Sequence, residues 1–556
     1  MRQLYRLWPT VCVALAPGLA SASVSTSCAA SAMDVVVVGG GLAGLCATIE
    51  AAKRGAKVTI IDKEANLGGN SAKASSGMNG ANTQAQRDQG ITDSVEKFIE
   101  DTLSSGDGLA VVELVHTLAE QSRETHEWLK SLGLHLSDVV QLGGHSTART
   151  HRFPPTPEGK PQPVGWTLVS GLRKILETEL KDQVTIRTKS SFKELLIEDG
   201  RVMGLNFEHE NGTEQLRGTV VLTAGGYAND HADSSLLDLH TPALAKLPTT
   251  NGPFATGDVI KALVKQEAGV KTTLMDKVQI HPTGFIEVKQ PNFHTKFLAP
   301  EALRGSGGIL LCHGKRFANE LGRRDYLTEE MFKHCKPLFD KEENPLSAAM
   351  LLTEEAVEKY GSGAMGFYKF KGLVQDVGTV EAAAEAMGTS AEVLKKTLED
   401  YNEAAERGQD KFGKKVFPVR FPSTAHLYVA FVTPTCFNVQ KGTVGGIPRN
   451  RGRSALVTQT RTGIGLPSRC CTAMDSPYPT CMARAKSPAE CTATIAWVAT
   501  ACWNARSLVV WQAPRPRRKP RTGDVTRSVA ALVGHRRDQN RGDPGPENIA
   551  GCSSRI

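Results

Sequence analysis

The 556-residue chain contains no haem-attachment spacing, no iron–sulfur run of cysteines and no second nucleotide fold, so no electron-entry domain is visible in it. Cys12, Cys28, Cys46, Cys312, Cys335 and Cys436 lie far apart, without metal or redox spacing. A disulfide scaffold is therefore not expected, and these residues read as ordinary thiols. No acid occurs before Asp34, and the apolar run from Leu7 to Ala22 is broken by Pro9 and Pro17. That run is too short and interrupted to span a bilayer. With Arg2 and Arg6 ahead of it, residues 1–32 read as a cleaved targeting peptide, organellar or secretory, with mitochondrial and ER addresses both open. No other run is apolar enough for an integral membrane anchor, and no internal repeat is present.

The length calls for two to four domains. Charge is unevenly spread along them. Residues 441–556 hold 19 Lys and Arg against 6 Asp and Glu, whereas the rest holds 47 against 52. Those 116 residues also carry half of the 12 cysteines and half of the 6 tryptophans. An Arg-rich end suggests a nucleic-acid or membrane-surface arm, but these cations are scattered among Cys, Trp, Ala and Pro and line no helix face. A nucleic-acid partner is not expected.

Residues 33–64 read MDVVVVGGGLAGLCATIEAAKRGAKVTIIDKE. Val35 to Val38 suits a parallel strand buried on both faces. Gly39, Gly41 and Gly44 form GxGxxG at the turn, Leu42 to Arg54 has helical spacing, and Val58 to Ile61 supplies a second strand ending at Asp62. This βαβ unit predicts dinucleotide binding: the glycines allow a sharp turn and close approach to a pyrophosphate, the helix amino end meets the anion, and Asp62 accepts from ribose hydroxyls. The following loop, NLGGNSAKASSGMNGA (66–81), offers backbone amides and short side chains for an extended cofactor, with Gly69, Asn70, Ser71 and Gly77 as candidate contacts.

With that loop, the chain resembles the soluble FAD-dependent fumarate reductases of the fumarate reductase/succinate dehydrogenase flavoprotein class. The likeness runs from about Asp34 to Pro434. It is carried by GGHSTARTHR (143–152), VVLTAGGYAND (220–230), TTNGPFATGD (249–258), QIHPTG (279–284), EALRGSGG (301–308), GKRFANELGRRD (314–325) and LKKTLEDYNEAAERG (394–408). The resemblance implies an α/β fold: a Rossmann-like FAD-binding domain (33–277) with an inserted α+β clamp domain (278–436). It adds Ala224, Gly225 and Asp258 to the cofactor contacts and names FAD. Periodicity over 390–407, followed by Gly408, predicts a clamp-domain helix.

Reducing fumarate needs a hydride on one alkene carbon, which a flavin gives from N5, a proton on the other, and cations for two carboxylates. By position, the resemblance implies Arg324 as proton donor, Glu301 and Arg304 as its proton supply, and His281 as a hydrogen-bond donor to a substrate carboxylate. Arginine is effectively always charged. A carbanion beside a carboxylate is nevertheless a strong base, and the same guanidinium steadies it before donating. Read without the family, Glu301 and Arg304 make an i,i+3 surface pair worth about 0.2–0.5 kcal/mol. Arg323 is expected to face away from Arg324. Pro300 departs from the family, in which many members carry threonine; it offers no donor there. That leaves other α,β-unsaturated acids, or a steroid ketone, as alternative substrates. The expected partners are a small dicarboxylate and an external electron donor, a reduced flavin or a nicotinamide.

The family ends its flavin domain with a Gly-rich flavin contact and a substrate-gripping arginine, and 437–556 contains neither. Back-translated and read one base earlier, residues 477–491 allow PIPNLYGAGEVAGGV and the stretch from Cys491 allows HGNNRLGGNSLLEC, with Gly forced at Trp497-Val498 and Glu at Trp503-Asn504. The tail reads as out of frame, replacing the end of the flavin domain, with little packed structure and impaired activity expected. Thr443 to Gly446 is a scrap of family motif in which Lys441 stands where a histidine is expected.

Overall fold

The computed structural model describes residues 34–440, except 107, 143, 144, 161, 271 and 273, together with the backbone of 509–510. The expected leader (1–32), Lys441, the Thr443 to Gly446 scrap and the rest of 441–556 apart from 509–510 lie outside the described residues.

Four consecutive valines give the first strand, Asp34–Val38, two apolar faces. Because strand side chains alternate, Val35 and Val37 pack with Leu45 and Ile49 of the helix Leu42–Lys53, while Val36 and Val38 pack with Phe207 and Leu263 on the opposite side. Such burial is worth about 1.5–3 kcal/mol for each valine, which makes this strand the centre of its sheet. It pairs in parallel with Lys57–Ile61 and Thr219–Leu222, and Lys57–Ile61 pairs in parallel with Val184–Arg187. Val509–Val510 pairs antiparallel with Val221 and Leu222 at the other edge. Helices cover the sheet, and the first connection is the expected βαβ unit.

A second, seven-stranded sheet is antiparallel. Its path runs Val278–Phe285, Leu427–Gln440, Leu346–Thr353, Ile309–Cys312 and Lys315–Arg316, with Lys336–Pro337 and Gln375–Gly378 attached beside it. All its strands fall within 278–440, and its own core joins Leu310, Met350, Val429 and Phe431 to Leu394, Leu398 and Tyr401. The last three lie on the helix Ala391–Arg407, where periodicity placed it. Ser390 caps the start by accepting from the Val393 amide, and Gly408 ends it in the left-handed conformation.

The expectation of ordinary thiols fails for one pair. Cys312 ends a strand and Cys335 caps the helix Arg324–His334; packing of these elements brings their Cα atoms to 5.2 Å, and the two are disulfide-bonded. Sequence spacing carries no trace of that proximity. Cys46 and Cys436 are buried. Among the described residues no helix is long and apolar enough to cross a membrane.

Candidate functional site

The glycine turn opens on a cavity of about 260 Å³ at the carboxyl edge of the parallel sheet. Gly39, Gly41, Asp62, Gly69, Asn70, Ser71, Ala224, Gly225 and Asp258 all line it. At two of its glycines the turn has no room for a side chain: a Cβ on Gly39, whose φ is +98°, would lie 2.7 Å from the Thr223 carbonyl oxygen, and one on Gly44 would lie 1.9 Å from the Gly39 oxygen. Gly44 is therefore off the cavity wall and serves the helix–strand contact. Gly77 is off the wall too, packed against His151 and Thr150 of a neighbouring strand.

Asp62 sits where the ribose acceptor is expected. Its carboxylate takes the Gly40 amide at 2.6 Å and the Glu64 amide at 2.9 Å, and burial pushes it above its ordinary value against those bonds. Gly41 caps the helix without a side-chain bond, and Ser71 Oγ accepts the Leu42 amide at 3.1 Å. Burial pushes the Asp258 carboxyl up, but Lys63 and Thr256 more than offset it. A cradle that a Cβ would fill, a helix amino end for an anion and an acceptor at the second strand's end fit a dinucleotide cofactor.

A hydrogen-bond path leads from this wall to the antiparallel sheet. Asn70 Nδ2 donates to Asn251 Oδ1 at 2.7 Å, the Asn251 amide donates to Thr249 Oγ1, and that hydroxyl donates to the Cys436 carbonyl. Cys436 pairs with Ile280 across the sheet, one residue from His281.

His281, Glu301, Arg304 and Arg324 come together although 43 residues separate the first and last. Arg324 Nε donates to Glu301 Oε1 at 2.5 Å, and Arg304 Nη2 lies 3.8 Å from the same oxygen. Arg324 opens the helix Arg324–His334, and Glu301 opens the short helix Glu301–Gly305. Pro300 is the N-cap of the latter and makes no side-chain cap bond. The Arg304 side chain is only 3% exposed, so the surface-pair reading does not hold. Arg323 points elsewhere, its Nη2 3.2 Å from Asp325 Oδ2, and is half exposed.

Burial alone would raise the Glu301 carboxyl; Arg324 and Arg304 instead hold it well below the ordinary carboxylate range. Burial, with Arg324 beside it, drives His281 well below its ordinary value, so the ring is neutral. The Thr283 amide lies 3.2 Å from His281 Nδ1, and the Thr283 carbonyl oxygen 3.1 Å from it. The cluster holds one ionised carboxylate, two guanidinium groups and a neutral imidazole donor, a set that can bind an anion and pass it a proton.

Sequence reading missed the partners that fix these residues. Lys63 Nζ donates to Thr256 Oγ1 and pairs with Asp258. Glu320 lies within GKRFANELGRRD, so its motif was visible but its role was not; Lys414, which grips it, carried no signal.

Residues 34–454 match the family model described as FAD binding domain. The fumarate reductase of Schizosaccharomyces pombe is 39% identical over 392 residues, covering 69% of this chain and 73% of that protein. Fumarate reductase 1 of Saccharomyces cerevisiae is 38% identical over 420 residues, covering 73% and 85%. Among solved structures, the open conformation of a flavocytochrome c3 fumarate reductase is similar at 30% identity and a TM-score of 0.57, covering 73% of this chain and 67% of that one.

Proposed function

Since the chain belongs to the FAD-binding flavoprotein family of the fumarate reductases, oxidoreductases acting on CH–CH groups, we propose that its site reduces fumarate to succinate with Arg324 as the proton donor. The observation that carries this reading is the 2.5 Å bond from Arg324 Nε to Glu301, with Arg304 behind it and His281 beside it.

Gly39, Gly41, Asp62, Gly69, Asn70, Ser71, Ala224, Gly225 and Asp258 would hold FAD, with Gly44 and Gly77 shaping the backbone around it. The chemistry that bound FAD supplies is delivery of a hydride to one alkene carbon. His281 donates a hydrogen bond to a substrate carboxylate, and its neutrality lets it do so without adding charge. Arg324 stabilises the anion that develops and gives a proton to the second carbon. After Arg324 has given up its proton, Glu301, ionised and hydrogen-bonded to it, takes up a proton through Arg304 and passes it to Arg324. Reducing equivalents come from an external donor, a reduced flavin or a nicotinamide.

We also read the chain as written as impaired, since residues 437–556 contain no Gly-rich flavin contact and no substrate arginine in the family's order. Expressing it beside a version with the frame restored, and following fumarate-dependent reoxidation of reduced flavin, tests both points. The restored chain is expected to turn over and the written chain to do so far more slowly; equal rates would falsify the frame reading. An alternative substrate, another α,β-unsaturated acid, is supported by Pro300, which puts no hydroxyl at the Glu301 helix cap. A panel of such acids separates the two, fumarate giving the highest kcat/KM if the main reading holds. We place the mature protein in an organelle or the secretory route; sequencing its amino terminus from cells checks that.

A further inference from the structure

A second buried carboxylate lies beside the cluster and has no part in the chemistry above. Glu320 is 0% exposed, and two cations grip it. Arg316 donates from Nε to Oε1 at 2.6 Å and from Nη2 to Oε2 at 2.9 Å, while Lys414 Nζ, also 0% exposed, donates to Oε2 at 2.9 Å. Arg316 Nη2 also lies 2.8 Å from Asp410 Oδ2, and Asp410 Oδ1 accepts the amides of Phe412 and Lys414. Both cations lie over the ring of Tyr401, at 5.1 and 5.3 Å from its centroid.

Burying four charges is an expensive way to stabilise a fold, because well-packed apolar groups do as well or better. The use of this set lies in what it holds still. The Glu320 carbonyl oxygen accepts from Arg304 Nη1 at 2.5 Å. Among the described residues that is the only hydrogen bond of the Arg304 side chain, whose Nε has no partner and whose link to Glu301 is the 3.8 Å ion pair. Four residues further along the same backbone is Arg324, reached through a turn in which Asn319 accepts the Leu321 amide on Oδ1 and the Gly322 amide on its carbonyl. Both cations that flank Glu301 are thus referenced to one short stretch of main chain. The side chain of Glu320 ties that stretch to the segment around Lys414.

We propose that Glu320, clamped by Arg316 and Lys414, is a positioning residue that sets Arg304 and Arg324 in register with Glu301. This rests on the reductase reading above. A displacement of about 1 Å in such a relay is enough to slow it up to about 100-fold, and the 3.8 Å pair has no slack to absorb one.

The test uses the FAD-loaded, full-length chain with its frame restored. Glu320→Gln keeps the shape and removes the charge; Lys414→Met leaves the Arg316 grip and removes the second cation. Glu320→Gln is expected to lower kcat for fumarate about 10- to 100-fold, with KM within about threefold and a larger solvent deuterium isotope effect on kcat, because proton transfer becomes slower than the other steps. Lys414→Met gives the same pattern more weakly. A merely structural role would lower the melting temperature and leave turnover per bound flavin and the isotope effect at parental values; that result overturns the proposal. If Glu320→Gln yields no FAD-loaded protein, Lys414→Met decides by the same criteria. A restored parent that binds FAD but does not turn over fumarate overturns the reductase reading, and the positioning role with it; an active parent with unaffected variants overturns the positioning role alone.

Discussion

At the edge of the parallel sheet, room is made by leaving side chains out: a Cβ on Gly44 would lie 1.9 Å from the Gly39 oxygen, and one on Gly39 2.7 Å from that of Thr223. Around Glu301 room is taken up by charge, with Arg324 Nε at 2.5 Å, Arg304 Nη2 at 3.8 Å and a buried His281 beside them. The first region works through main-chain geometry, the turn of one local βαβ unit packed against the backbone at Thr223. The second depends on side chains from a strand and two helices far apart in the chain, kept in place by a further buried set around Glu320. A backbone cradle tolerates changes in its surroundings but no added atom. A charge cluster tolerates changes of shape but no loss of a partner, since an unpaired buried charge is costly.

If that contrast is right, the largest effect comes from removing the charge that reacts. Arg324→Gln is expected to cost about 10²- to 10⁴-fold in kcat, the usual worth of a positioned proton donor, while flavin absorbance per protein stays at the parental level. Loss of FAD in that variant would show that the two regions are not separable. Gly44→Ala should do the reverse. The methyl forces helix and strand apart, at a cost of about 1–3 kcal/mol for overpacking, and the purified protein is expected to carry little FAD; full loading measured by absorbance would break the claim that the turn is made by omission.

His281→Asn, which keeps a donor but shortens its reach, is expected to raise KM for fumarate about tenfold, the value of one hydrogen bond to a charged group, with a smaller change in kcat. A change confined to kcat would move His281 from binding to chemistry. The smallest effect concerns stability. His151 is fully buried, with Nε2 2.6 Å from Thr83 Oγ1, and burial, aided by nearby His126, lowers its pKa from 6.5 to about 4. The unfolded chain therefore takes up a proton below pH 6.5 that the native chain refuses. Native stability should fall by up to about 1.4 kcal/mol per pH unit from pH 6.5 down to about 4 and be level above that window. Thermal melts across this range should flatten in His151→Gln; unchanged slopes would assign the acid sensitivity to another group.

Much of the cofactor region was legible beforehand because its information is local. GxGxxG, the four valines and Asp62 follow one another within thirty residues, so period and turn chemistry are enough to place them. Gly44 and Gly77 were legible as glycines but not by their contacts, since only the neighbouring strand shows what a Cβ would strike. The charge cluster was legible only through resemblance: nothing in the spacing of His281, Glu301, Arg304 and Arg324 brings them together, and the local reading of Glu301 and Arg304 gave a surface pair. The Cys312–Cys335 bond and the Lys414 grip on Glu320 were not legible at all, because each joins elements that meet only after the antiparallel sheet has formed.

The order of residues along the chain by itself determined the nucleotide-binding unit, the helix Ala391–Arg407 and the family, since hydrophobic period, turn glycines and ordered motifs act over short separations. Tertiary packing alone decided which charges are buried, which thiols meet and which carbonyl holds Arg304, since burial and pairing of polar groups depend on neighbours that sequence distance does not reveal.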